Sequence, residues 1–231
     1  MPQSAQHKAK RNSRFLSVEL RNARKHKPSS QRWLRRQLND VYVNKAREAG
    51  YRSRAAFKLI ELHEKTNLFK KGQRILDLGA APGSWSQVAT QYIGNGQIVA
   101  VDLLEMDALA SVNFLCMDFW DEDAPEKICR ALKRQFPDLI LSDMAPSTVG
   151  HKSTDHDRIM ALSEAAFDFT KEILVSGGDF VVKIWQGRSE QEFMSNLRKH
   201  FKTVKLFKPA ATRSDSSEMY VVAKGFMTDR R

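Results

Sequence analysis

Apolar positions recur in two rhythms along this chain. Over 32–50 and 53–65 they return every third or fourth residue, the spacing of helices with one buried face, and Ser53 stands where it would cap the second. From residue 74 onward the rhythm shortens to compact apolar runs at 74–78, 97–103, 112–117, 138–142 and 180–185. Between them lie stretches suited to helices, at 84–93, 125–136, 155–174 and 189–201. Near-continuous apolar strands alternating with helices predict an α/β fold: a parallel sheet with helices on both faces. Two more strand-like runs, 203–207 and 219–223, have no helix between them, so an antiparallel pair finishes the sheet. The prediction is seven strands, mostly parallel, with an antiparallel strand at the end of the chain.

Composition narrows the class. With 231 residues, 42% of them hydrophobic, the chain is long enough for one large domain with a core that needs no staples. Its two cysteines, Cys116 and Cys129, exclude a disulfide scaffold and a Cys₃ or Cys₄ metal site. His151 and His156 lie five apart in a polar segment without metal-ligand spacing, so no metal is expected. No apolar run reaches the roughly 18 residues of a membrane span, and the first residues lack the apolar stretch of a secretory signal.

Charge is distributed unevenly. Residues 1–38 carry eleven Lys/Arg against one acid, Glu19, a net of +10 out of the total of +11; residues 39–231 carry 27 bases and 26 acids. A basic, flexible arm over 1–31 ahead of a domain over 32–231, which is nearly neutral from residue 39 onward, predicts phosphate contacts, each releasing counterions. A bacterial cytoplasm is the expected compartment. The mitochondrial matrix is the alternative, because the arm is basic and nearly free of acids. The cluster Trp33, Arg35, Arg36, Tyr42, Tyr51, Arg52 and Arg54 offers rings to stack on bases and guanidinium groups to grip phosphates.

In a parallel sheet, ligands sit outside the carboxyl ends of the strands at the point where strand order reverses. The first strand ends in Asp77-Leu78-Gly79-Ala80-Ala81-Pro82-Gly83-Ser84-Trp85. Glycines and small residues there let backbone approach a ligand closely. The Gly-Lys-Ser/Thr ending of a P-loop is missing, and Gly79 and Gly83 do not match the dinucleotide spacing. The second strand ends at Asp102, where a carboxylate can take both hydroxyls of a ribose. The third ends near Asp118, suited to an exocyclic amine such as that of adenine. Together these suggest a nucleoside ligand without a pyrophosphate.

That combination resembles the Rossmann-like methyltransferases that use S-adenosylmethionine. Tyr51 through Leu59, Asp77 through Trp85, Ser142-Asp143-Met144-Ala145-Pro146, Phe180-Val181-Val182-Lys183 and Ser216-Ser217-Glu218-Met219-Tyr220 are similar to the FtsJ/RlmE family of RNA ribose 2′-O-methyltransferases, in order and spacing over 32–231. The resemblance implies a catalytic tetrad of Lys58, Asp143, Lys183 and Glu218. It implies a site for S-adenosylmethionine at Gly79, Gly83, Trp85, Asp102, Asp118 and Asp143. Ser84 departs from the family, many of whose members have a second glycine there. The opening over 31–40 favours the ribosomal branch, which implies a uridine in large-subunit ribosomal RNA as substrate, and a monomeric enzyme. The alternatives are a methyltransferase of the tRNA anticodon loop, or an RNA-binding ribosome-assembly factor with secondary catalysis.

The chemistry asks for such a tetrad. A ribose hydroxyl is a poor nucleophile near neutral pH, so it must be aligned with the methyl carbon and relieved of its proton. Lys183 interrupts an apolar strand, where a charge is costly, and is the candidate proton acceptor. If it stays protonated it can only orient the ribose oxygen. The end of the fourth strand, Asp143-Met144-Ala145-Pro146, lacks the aromatic ring used in methylating base amines, and neither cysteine stands where pyrimidine C5 methylation would need one.

Overall fold

The computed structural model describes residues 37–133, 135–146 and 149–227, together with 27, 30, 31 and 34. The chain divides into two units, 1–44 and 45–231, and every described strand belongs to the second. Most of the arm lies outside the described residues, as do Trp33, Arg35 and Arg36.

The order of elements is α1 (Val41–Glu48), α2 (Ala55–Thr66), β1 (Arg74–Leu78), α3 (Ser84–Ile93), β2 (Gln97–Asp102), β3 (Val112–Cys116) and α4 (Ala124–Ala131). Then follow β4 (Leu139–Ser142), α5 (Lys152–Ile173), β5 (Asp179–Trp185), α6 (Glu190–His200), β6 (Phe201–Phe207) and β7 (Glu218–Phe226). The predicted runs 74–78 and 84–93 match β1 and α3 end to end, and the other runs from residue 53 onward are present with shifted ends. Of the helix predicted over 32–50, α1 covers 41–48 after a break at 39–40, and 32, 33, 35 and 36 lie outside the described residues. Ser53 accepts the Ala55 N–H at 3.2 Å, as a capping residue would, although Arg54 occupies the junction itself. The helix predicted to reach 136 ends at 131, because Lys133 takes a left-handed conformation that breaks the repeat. Strand β6 begins directly after α6, without a loop.

The seven strands form one sheet in the order β3-β2-β1-β4-β5-β7-β6. Strands β1 to β5 pair in parallel, and β7 runs antiparallel to both β5 and β6. The last strand of the chain therefore lies inside the sheet, with β6 at the edge. Strand order reverses between β1 and β4, which opens the switch-point crevice at their carboxyl ends.

Period-two alternation divides each strand between two cores. Leu76, Ile140, Phe180, Val182 and Val221 pack with α5 and α6 through Phe167, Ile173, Phe193 and Leu197. Ile75, Leu139, Leu141, Val181 and Tyr220 pack on the other face with Leu59 and Leu62 of α2 and Trp85 and Val88 of α3. Asp77, Lys183 and Glu218 share the parity of that second set, so the sheet directs them toward α2 and α3.

Candidate active site

Four elements meet at the carboxyl ends of β4 and β5. Asp143 follows the last residue of β4, and Lys183 lies on β5 two positions after Val181. Because β7 is antiparallel, its first residue, Glu218, stands opposite Trp185, and Tyr220 stands opposite Lys183. Lys58 reaches them from the first turns of α2. All four tetrad residues are thus brought together.

Their contacts form a chain of alternating charge. The Lys183 ammonium donates to Asp143 Oδ1 at 3.0 Å and to the Asp143 main-chain oxygen at 2.6 Å. Lys58 Nζ lies 2.6 Å from Glu218 Oε1 and donates to the Tyr220 hydroxyl at 3.2 Å. That hydroxyl is 2.7 Å from Asp143 Oδ1 and 3.1 Å from Glu218 Oε1. A phenol has one proton, so it can donate to only one of the two carboxylates at a time. Two cations and two anions cancel, which is the condition for holding four charges in a site where Lys183 is only 6% exposed.

Burial alone would raise the Asp143 carboxyl. The ammonium groups of Lys183 and then Lys58, with hydrogen bonds from Tyr220 and Lys183, hold it below the usual carboxylate range. Burial, then the charges of Asp143 and Glu218, push the Tyr220 phenol well above its ordinary value, so it keeps its proton. Tyr220 is fully buried and carries the network, yet the reading of the sequence did not assign it a role. The signal was there: a polar-tipped ring two residues after Glu218 on a strand must share its face.

The predicted ligand turn lies across the crevice. Gly79 has a φ of 71°, and a Cβ there would come within 2.4 Å of Met144 Cγ, so no side chain fits. Asp102 Oδ2 accepts the Ala81 N–H at 2.8 Å, which ties the turn to the end of β2. The Asp118 carboxylate accepts the Trp120 N–H at 3.0 Å at the end of β3. Beneath the turn, Asp77 is fully buried; Ser86 donates to Oδ2 at 2.7 Å, while Oδ1 has no partner among the described residues. Burial is the main force raising the Asp77 carboxyl to about 7, and the charges of Asp143 and Asp102 add to it against the Ser86 hydrogen bond. Trp85 is turned inward: its indole N–H donates to the Ala55 carbonyl at 3.0 Å, and its ring packs 5.6 Å from that of Tyr220.

Two of the arginines read as RNA contacts are engaged with main-chain carbonyls. Arg52 bonds those of Pro82, Asp107 and Ala108, and Arg54 bonds that of Ala211. Glu61, one turn beyond Lys58, was not singled out from the sequence. Its carboxylate accepts the Ala210 and Ala211 N–H groups at 2.6 and 2.9 Å, pinning the segment between β6 and β7 that leads to Glu218.

A switch-point crevice with a glycine turn, acids at successive strand ends and a lysine–carboxylate network belongs to the Rossmann-like methyltransferases. The model of the FtsJ-like methyltransferases matches residues 51–226, and the chain belongs to that family. The ribosomal RNA large subunit methyltransferase E of Azorhizobium caulinodans is 52% identical over 218 residues, covering 93% of this chain and 90% of that protein. The protein of the same name from Xanthobacter autotrophicus is 51% identical over 217 residues, covering 92% and 85%. Among solved structures, a Plasmodium falciparum protein assigned as a ribosomal RNA methyltransferase has a TM-score of 0.70 and 32% identity over 77% of this chain and 100% of that one.

Proposed function

We propose that the chain methylates a ribose 2′-hydroxyl in large-subunit ribosomal RNA, a uridine by the family resemblance, with S-adenosylmethionine as donor. The observation that carries this reading is the convergence of Lys58, Asp143, Lys183 and Glu218 on the Tyr220 hydroxyl, beside the glycine turn at the switch point. The relatives named for ribosomal RNA, similar along more than nine-tenths of this chain, support the substrate class. Their bacterial origin supports a cytoplasmic setting.

The donor site is proposed at Gly79, Gly83, Asp102, Asp118 and Asp143, with Trp85 backing the turn from the core. The residues suit such a ligand: a close-approach glycine, an acid tied to the turn and an unpartnered buried carboxylate oxygen beneath it. When bound, the donor supplies a sulfonium-activated methyl group. Lys183 is the proposed proton acceptor. A neutral amine has two N–H groups and one lone pair; the two Asp143 oxygens take both N–H groups, and the lone pair is left for the ribose hydroxyl proton. Asp143 and Glu218 hold the two lysines in place. The basic arm, residues 1–31, with Trp33, Arg35 and Arg36 behind it, is proposed to hold RNA phosphates and bases.

Purified protein is offered large ribosomal subunits, naked ribosomal RNA and tRNA with labelled S-adenosylmethionine, and the modified nucleotide is identified by mass spectrometry. The expected product is a 2′-O-methylated nucleotide of the large subunit. Label on tRNA alone, or on a base, would refute the assignment.

A further inference from the structure

The segment 50–55 is stitched to α3. The Arg52 N–H donates to Gln87 Oε1 at 3.0 Å, and the Gln87 amide returns a bond of 2.8 Å to the Gly50 carbonyl. Tyr51 donates to Gln91, Ser84 donates to Ser53, and Trp85 donates to Ala55. The backbone of Arg52 is therefore fixed against the helix that begins at the glycine turn.

From that anchor its side chain spans two segments of the proposed donor pocket. Nη1 donates to the Pro82 carbonyl at 2.9 Å, inside the turn, and to the Asp107 carbonyl at 2.8 Å; Nη2 donates to the Ala108 carbonyl at 2.8 Å. Residues 103–111 form the loop that leaves β2 directly after Asp102. The loop is mostly exposed, with Leu103 and Leu104 at 68% and 69%. Met106 and Leu109 are its half-buried apolar side chains, and both lie over the turn. A Cβ on Gly83, whose φ is 100°, would meet Arg52 Nη1 at 2.7 Å, Leu109 Cδ1 at 2.9 Å and Met106 Sδ at 3.2 Å. The guanidinium, the loop and the turn thus close on one another at Gly83.

We infer that Arg52 is a positioning residue of the methyl-donor pocket: its planar fork clips loop 103–111 to the glycine turn and so sets how tightly the donor is held. This rests on the reading of the turn as the donor site. Three carbonyls in two segments call for a flat group with several N–H donors in fixed directions, and an ammonium on a flexible stem cannot hold all three. That difference separates clip from RNA contact, because a phosphate contact depends chiefly on charge.

Arg52→Lys, Arg52→Gln and Asp102→Asn full-length proteins are compared with wild type by calorimetric titration with S-adenosylmethionine, by kinetics on naked large-subunit ribosomal RNA over a range of salt, and by thermal unfolding. Both Arg52 variants are expected to bind the donor about tenfold or more weakly, as befits lost bonds from a charged donor. At saturating donor, kcat, the KM for RNA and its salt dependence stay near wild type. Leu109→Ser, which loosens the same loop without touching a charge, is expected to reproduce the donor defect and guards against an Arg52 variant that fails to fold. Donor affinity unchanged in Arg52→Lys, with RNA affinity and salt dependence reduced in Arg52→Gln, would overturn the proposal. If Asp102→Asn loses donor affinity while the Arg52 variants keep it, the clip fails and the donor site stands. If none of the variants loses it, both fail.

Discussion

Tyr220 shows how one hydroxyl organises four charges. It accepts from Lys58 and lies within hydrogen-bonding distance of both Asp143 and Glu218, all from a fully buried position. Tyr220→Phe keeps the ring that packs on Trp85 and removes only this junction. A loss of about 1–3 kcal/mol is expected in denaturant unfolding, because buried charged groups lose a partner. The pH dependence follows from Asp143, whose carboxyl is held below the usual range. A depressed value means that its stabilising contribution is full above the unfolded value near 4 and is lost as pH falls through the folded one. Without the Tyr220 bond the carboxyl rises, so acid unfolding of the variant begins at higher pH than that of wild type. A denaturant midpoint and an acid-unfolding profile both identical to wild type would show that the hydroxyl is dispensable.

Helix α2 and the residue that caps it, Arg54, deliver three side chains at helical spacing to one purpose. Arg54 and Glu61 grip the segment between β6 and β7 by its backbone, and Lys58, between them, meets the carboxylate at the end of that segment. In Glu61→Gln one amide oxygen replaces two carboxylate oxygens. Amide exchange at Ala210 and Ala211 is expected to quicken by about tenfold, the equivalent of one net hydrogen bond. The exposed Glu64→Gln on the same helix should leave it unchanged; equal exchange in both variants would refute the pin. This arrangement also marks what the sequence could disclose. The apolar run of β5 was legible, so Lys183 stood out as a charge within it, and Asp102 and Asp143 stood out as acids at strand ends. Glu61 and Arg54 were not legible as supports, because their partners are main-chain groups about 150 residues away, and periodicity carries no information about such contacts. Arg52 was ambiguous for a related reason: a guanidinium beside aromatic residues reads the same in sequence whether it meets phosphates or the carbonyls it bonds in the fold. Tyr220 could have been placed on the face of Glu218 by parity, but beside Lys183 only once β7 was known to pair with β5.

The topology supplies what no single element could. Placing β7 between β5 and β6 brings the amino end of the last strand to the carboxyl edge of β5, and only that reversal sets Glu218 and Tyr220 beside Lys183. The switch between β1 and β4 puts the glycine turn next to Asp143, so the proposed donor pocket and the lysine–carboxylate network share one crevice. The central claim is that Lys183, at that junction, takes the proton of the ribose hydroxyl. Single-turnover methyl transfer to large ribosomal subunits by wild type, Lys183→Ala and Lys183→Arg tests it most directly, with donor binding measured alongside. The prediction is a loss of transfer of at least about a hundredfold in both variants, the lower range of general-base catalysis, with donor affinity retained, because arginine keeps the charge but cannot give up its proton. Transfer by Lys183→Arg at a rate near that of wild type would contradict it and leave Lys183 only to orient the oxygen.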